Sequence, residues 1–162
     1  FMHIFGFEEK FYNEAFSKLE KQVADVPGLQ IIATDISEDA INISKVNAGI
    51  AGVEEMIDFQ VCDFEETSII ENREGVVYLN PEYGDRLGVE EELEKTYKRM
   101  GDFFKKKCKG YTGYIFTGNL ELAKKIGLKP KRRIEFYTSK IDCRLFEYEL
   151  YAGTKDISKQ QV

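Results

Sequence analysis

The chain has 162 residues, 43% of them hydrophobic and 13% aromatic, which suits one globular domain with one core and leaves too little for two. No apolar run approaches the length of a membrane span and no signal-peptide pattern is visible, so a cytoplasmic protein without membrane attachment is expected. The single histidine, His3, and three cysteines without a C-x-x-C pair argue against a metal site or a histidine-based catalytic triad.

Charge is divided unevenly. Residues 1–94 carry 22 acidic and 6 basic side chains, whereas residues 95–162 carry 7 acidic and 17 basic, within a net charge of -6. The basic residues cluster in 95–109 and 124–133. Such a split points to a polyanion partner on one face, although cations also gather on solvated helix faces and helix C-termini. Cys62 and Cys143 fall in strand-like runs and are expected as buried, reduced thiols.

In chain order, Phe11, Phe16, Leu19 and Val23 recur at helical spacing, so an amphipathic helix is expected from Glu8 to about Ala24, ended by Pro27-Gly28. Residues 1–28 thus form an N-terminal helical segment. Gln30–Asp35 reads as a strand whose last residue is an aspartate. Ser37 is a good N-cap for a helix running to about Gly49, with Ala40, Ile41, Ser44 and Ala48 on one face. Ile57–Cys62 is a second strand, again followed by an aspartate, Asp63.

After the acidic loop 65–74, Val76–Leu79 reads as a buried parallel strand, broken by Asn80-Pro81. Beyond Gly88 a long helix to about Lys107 places Val89, Leu93, Tyr97, Met100 and Phe104 three or four residues apart. Tyr111–Thr117 is a further strand. Asn119 caps a short helix that Gly127 closes. Arg133–Thr138 and Ile141–Tyr151 form a hairpin about a tight turn at Ser139-Lys140, and 153–162 is a polar tail.

Strand and helix alternate until that hairpin. The fold class expected is α/β, a mostly parallel sheet with helices on both faces and an antiparallel hairpin at the C-terminal end. Three successive strands end in a polar residue: Asp35, Asp63 and Asn80. In a parallel sheet those ends share one edge, where doubly wound folds bind ligands. An aspartate there suits ribose hydroxyls or an exocyclic amine, and apolar Ile36 and Phe64 would sandwich a flat ring. Either aspartate could equally be an ordinary cap of the next helix or turn.

Three blocks, Leu79–Leu87 (Leu-Asn-Pro-Glu-Tyr-Gly-Asp-Arg-Leu), Tyr114–Asn119 and Lys140–Leu145, carry a resemblance that runs from about Phe5 to Tyr151. The chain resembles the Rossmann-like catalytic domain of S-adenosylmethionine-dependent RNA methyltransferases. The particular group is the guanine-N2 methyltransferases of ribosomal and transfer RNA, which carry a THUMP domain upstream and are often described as adenine-specific DNA methylases. The resemblance implies that Asp35 holds the cofactor ribose and Asp63 the adenine amine, with Ile36 and Phe64 packed on the adenine. It also implies that Asn80, Pro81 and Tyr83 handle the target base, with Asn80 also beside the cofactor. The expected activity is methyl transfer to guanine N2, most naturally in ribosomal RNA held by 95–109 and 124–133. An adenine-N6 methyltransferase of DNA or RNA and a catalytically silent RNA-binding domain are the alternatives.

Two departures from the family pattern stand out. Glu82 occupies the place of the second proline in the common Asn-Pro-Pro-Tyr. No G-x-G pattern occurs, and the strand and loop that cradle the methionine end of the cofactor are missing. That strand would lie between Gln30–Asp35 and Val76–Leu79. Residues 29–152 are therefore expected to be an incomplete core within a longer protein, binding cofactor poorly alone.

Overall fold

A computed structural model describes residues 2–24, 26–70, 73–82, 90–138 and 141–151. In chain order the elements are α1 (Glu9–Glu20), β1 (Ile31–Asp35), α2 (Glu38–Ala51), β2 (Ile57–Val61), β3 (Val76–Leu79), α3 (Glu90–Lys106), β4 (Thr112–Thr117), α4 (Leu120–Lys125), β5 (Arg132–Thr138) and β6 (Ile141–Glu149). The tight turn at Ser139-Lys140, Val89 of the helix expected beyond Gly88 and the polar tail lie outside the described residues.

Local signals act as the sequence dictates. Ser37 accepts the amide of Ala40 at 3.3 Å to start α2, and Gly52 ends it at φ +72, a conformation most side chains resist. Asn119 Oδ1 accepts from the amides of Glu121 and Leu122 at 3.1 and 3.0 Å, fixing the first turn of α4. Those bonds satisfy donors that an isolated helix start leaves unpaired.

The strands form two sheets. β1 and β2 pair in parallel, Ile31 opposite Ile57 through Asp35 opposite Val61. The second sheet runs β3-β4-β6-β5: β3 and β4 are parallel, and β4-β6 and β6-β5 are antiparallel. Parallel and antiparallel pairings thus contribute alike, and the single mostly parallel sheet expected from the sequence is divided. The division falls between β1 and β3, where the sequence analysis located a missing strand. Among the described residues no strand pairs with either across that gap.

The core belongs to the second sheet. Tyr97 and Phe104 of α3, Ile115 of β4, Ile126 after α4, and Tyr148 of β6 are buried in one cluster. Gly101 lets α3 lie against α4: a Cβ at that position would sit 1.9 Å from the carbonyl oxygen of Ile126. Gly113 plays the same part under the Phe104 ring.

Four expectations need correction. β3 is not a buried strand, because Val76 and Tyr78 are exposed and only alternate residues face the core. It lies at the edge of its sheet, and an apolar strand without a neighbour on one side cannot be covered fully. Cys62 is half-buried, whereas Cys108 and Cys143 are buried, and burial pushes the Cys108 thiol up to about 12. The helix face proposed for α2 is buried at Ile41 and Ala48 but exposed at Ser44, and α1 buries no residue although Phe11, Phe16 and Leu19 share its spacing.

Candidate active site

The gap between the sheets is a cleft of about 920 Å³. Its walls are β1 and β3, its floor includes the loop after β2, and one side is the face of α3 carrying Thr96, Arg99, Met100 and Phe103. Asp35 and Ile36 at the end of β1, Asp63 and Phe64 after β2, and Asn80 and Pro81 after β3 all line it. Parallel pairing explains the gathering. β1 and β2 run the same way, so their carboxyl ends lie side by side, and Asn80 and Pro81 after β3 line the same cleft from the other sheet. Tyr83, the remaining residue proposed for the target base, lies outside the described residues.

Both aspartates hold their own loops, and each does so with one oxygen. The Ser37 amide donates to Asp35 Oδ1 at 2.8 Å, and the Glu65 amide donates to Asp63 Oδ1 at 2.9 Å. Capping and ligand binding are therefore compatible, since a carboxylate has two oxygens and about four acceptor positions. Arg99 Nη2 also donates to Asp63 Oδ1, at 2.8 Å. That hydrogen bond, outweighing the cost of burial, holds the Asp63 carboxyl below the usual carboxylate range.

The loop that handles the target base in the resemblance is tied from behind. Tyr97 is fully buried, and its hydroxyl lies 2.7 Å from Thr117 Oγ1 and 3.4 Å from the carbonyl oxygen of Glu82. Thr117 Oγ1 in turn accepts the Asn119 amide at 3.0 Å. The backbone just after Asn80-Pro81 is thus connected to α3, to the end of β4 and to the cap of α4. The Glu82 side chain is exposed.

The basic segments are less of an open positive face than their composition suggests. Lys105 and Lys106 pair with Asp102, Lys124 with Glu121, Lys125 with Glu94, and Lys131 with Glu147 and Glu149. Arg99 and Lys107 reach into the acidic half, to Asp63 and Glu65 and to the Glu65 carbonyl. Part of the charge split therefore closes on itself through the fold.

Sequence reasoning did not single out Arg99, Thr96, Met100 and Phe103 as cleft residues. The three-and-four spacing that puts them on one stripe of α3 was present. It was read for Tyr97, Met100 and Phe104 as core, and Arg99 was counted only as charge.

An S-adenosyl cofactor fits half of this site. Two strand-end carboxylates suit a ribose and an adenine amine, and Ile36 and Phe64 suit a flat ring. No glycine lines the cleft among the described residues, so these residues offer no close backbone approach to an amino-acid tail. Among the described residues no group of histidine, cysteine or carboxylate side chains could hold a metal ion, and no helix is long and apolar enough to cross a membrane.

Known proteins resemble this chain in sequence and in fold. The ribosomal RNA large subunit methyltransferase K/L of Syntrophotalea carbinolica is 30% identical over 140 residues, 85% of this chain and 19% of that protein. A crystal structure described as a predicted N6-adenine-specific DNA methylase from Listeria monocytogenes has a TM-score of 0.70 and 27% identity over 91% of this chain and 36% of its own. The crystal structure of SMU.472, described as a putative methyltransferase complexed with SAH, has a TM-score of 0.76 at 20% identity, covering 95% of this chain and 40% of its own. The chain spans about a fifth of the length of the ribosomal RNA methyltransferases it matches. Residues 2–147 match the RMKL-like methyltransferase domain family, UPF0020, and the chain belongs to that family, with its α/β methyltransferase fold.

Proposed function

We propose that the chain is the catalytic core of an RNA methyltransferase that uses S-adenosylmethionine and acts on the N2 amine of a guanine in ribosomal RNA. The observation that carries this reading is the meeting of Asp35, Asp63 and Asn80, with Ile36, Phe64 and Pro81, along one cleft. Residues 29–152 form the core in this reading, with 1–28 as a helical segment before it. The methionine end of the cofactor calls for a backbone cradle beyond the residues lining the cleft. A cytoplasmic location goes with a ribosomal substrate.

In this mechanism Asp35 accepts from the ribose hydroxyls and Asp63 from the adenine amine, while Ile36 and Phe64 exclude water from the ring. When bound, S-adenosylmethionine supplies a methyl group on a positively charged sulfur. The target amine is a poor nucleophile because its lone pair is delocalised into the base. Asn80 Oδ1 and the Pro81 carbonyl would accept its two hydrogens and turn the lone pair out of the ring plane. Positioning and electrostatics would then supply most of the acceleration without a strong base, the surplus amine proton leaving to water after transfer. Tyr83 stacks on the flipped base. The segments 95–109 and 124–133 contact phosphates, giving binding that weakens with salt.

The name of the Listeria structure favours a second reading, transfer to adenine N6, because an amide acceptor and a proline carbonyl serve either amine. The test is a reaction of the full-length protein with isotope-labelled S-adenosylmethionine and undermethylated ribosomal RNA, followed by digestion to nucleosides. Labelled N2-methylguanosine that falls at least 100-fold in Asn80→Ala is expected, since lost transition-state donors or acceptors cost about that much. Labelled N6-methyladenosine would replace the first reading with the second. RNA binding with no methyl transfer would leave a silent binding domain.

A further inference from the structure

Arg99 makes more contacts with the proposed adenine loop than an ordinary surface cation would. Its Nε and Nη2 donate to Glu65 Oε2 at 2.8 and 2.6 Å, and Nη2 donates to Asp63 Oδ1 at 2.8 Å. Its guanidinium carbon lies 5.0 Å from the centroid of the Phe64 ring. One planar group therefore fixes the residue before Phe64, the residue after it and the ring itself. The opposite side of the arrangement is the core: Phe103, one turn along α3, meets Phe64 edge-on at 5.7 Å. Lys107 adds a bond to the Glu65 carbonyl.

We infer that Arg99 is a positioning residue for the adenine of the cofactor, acting through Asp63 and Phe64. The inference rests on the methyltransferase reading above. Every hydrogen bond that Asp63 makes to a described residue falls on Oδ1, which receives both Arg99 and the Glu65 amide. Oδ2 is left for a ligand amine, and the carboxylate cannot rotate to exchange the two oxygens without breaking both bonds. A lysine could supply the charge but not the fork, because an ammonium is a point donor without a plane to lay on a ring. Arg99 stands on a helix anchored by the buried core, so the geometry of the loop after β2 is referred to the rigid half of the molecule.

The same contacts admit an opposite role. A guanidinium that donates to Asp63 and lies over Phe64 could be occupying the place of the adenine. The two roles differ in sign. With Arg99 as a positioner, its removal weakens cofactor binding; with Arg99 as an occupant, its removal strengthens binding.

The experiment is calorimetric binding of S-adenosylhomocysteine, and of its inosine counterpart lacking the exocyclic amine, to the full-length protein. Wild type, Arg99→Leu, Arg99→Lys, Asp63→Asn and Arg99→Leu with Asp63→Asn are compared. Arg99→Leu is expected to bind the adenosine form about tenfold more weakly, the scale of one lost charge-assisted hydrogen bond. Its preference for adenosine over inosine narrows, and Arg99→Lys falls between. In the Asp63→Asn background the Arg99→Leu effect shrinks to about twofold or less, because coupled residues are not additive. Equal weakening toward both nucleosides would show that Arg99 does not act through Asp63 and would overturn the inference. Tighter binding in Arg99→Leu would overturn it in favour of the occupant role. A wild-type protein that binds neither nucleoside would instead overturn the methyltransferase reading. Arg99→Lys, which keeps the charge, provides the comparison should Arg99→Leu not fold.

Discussion

The two sheets differ in how they are supported. The β3-β4-β6-β5 sheet is packed against α3 and α4 through a cluster that includes Tyr97, Phe104, Ile115, Leu122, Ile126 and Tyr148, all nearly or fully buried. The β1-β2 sheet has α2 on one side, and of that unit only Ile41 and Ala48 are buried. Ile36, Ile43, Val46, Ile50 and Val61 remain exposed on it. Yet the cleft takes residues from both, and the side expected to hold the ribose is the weakly packed one. The contrast teaches that precision in this site comes from one half and is transmitted to the other. Arg99, Lys107 and the Thr34–Thr67 hydroxyl contact at 2.9 Å are the visible means.

Cavity formation should bring the contrast out most strongly. Phe104→Ala removes a fully buried ring and is expected to cost about 3–5 kcal/mol, whereas Ile50→Ala on α2, at an exposed position, stays within about 0.5 kcal/mol. Denaturant melts of the full-length protein check both. Equal costs would mean that something covers α2 as closely as α3 and α4 cover their sheet.

Gly101→Ala is the next test. In an exposed helix that change stabilises by up to about 1 kcal/mol. Here the new methyl meets the Ile126 carbonyl oxygen, backbone that cannot swing aside, and a loss of about 1–3 kcal/mol is expected. A rise in Tm would show that α3 and α4 can separate freely.

The smallest effect concerns the tie between the halves, and it depends on pH. Asp63 is held below its ordinary value of 3.8, chiefly by its hydrogen bond from Arg99. A carboxyl lowered in the folded state stabilises it above the unfolded value, and that contribution is lost as pH falls through the lowered one. Because the pair is partly exposed, Arg99→Leu should cost about 1 kcal/mol or less at pH 7. The difference from wild type should shrink as the pH drops below 3.8. A difference that persists in strong acid would assign the effect to packing on Phe64 instead.

Local grammar made much of the fold readable. Ser37 and Asn119 announced their helices because short polar side chains satisfy free amides, and the alternation of strand and helix gave the order of elements. Asp35, Asp63 and Asn80 were legible as strand ends, and the fold brings them to one cleft; their roles await the binding and transfer experiments. What could not be read were relations across distance. Val76-Val77-Tyr78-Leu79 has the composition of a buried strand, but composition does not say whether a neighbour is present on each side. Arg99 looked like one cation in a basic run because its partners lie 34 and 36 residues away in the chain. The charge split was only partly legible as a surface for the same reason, since Arg99 and Lys125 pair with Asp63, Glu65 and Glu94 of the acidic half on folding.

The hydroxyl pair behind the Asn80 loop has a polarity. The Asn119 amide can only donate and the Glu82 carbonyl can only accept. For the three bonds to hold together, Thr117 must give its hydrogen to Tyr97, and Tyr97 must give its own to Glu82. The start of α4 thus fixes the direction in which the hydrogens of the chain point. The carbonyl it ends on belongs to Glu82, whose side chain is exposed while its main-chain oxygen is anchored on a buried tyrosine.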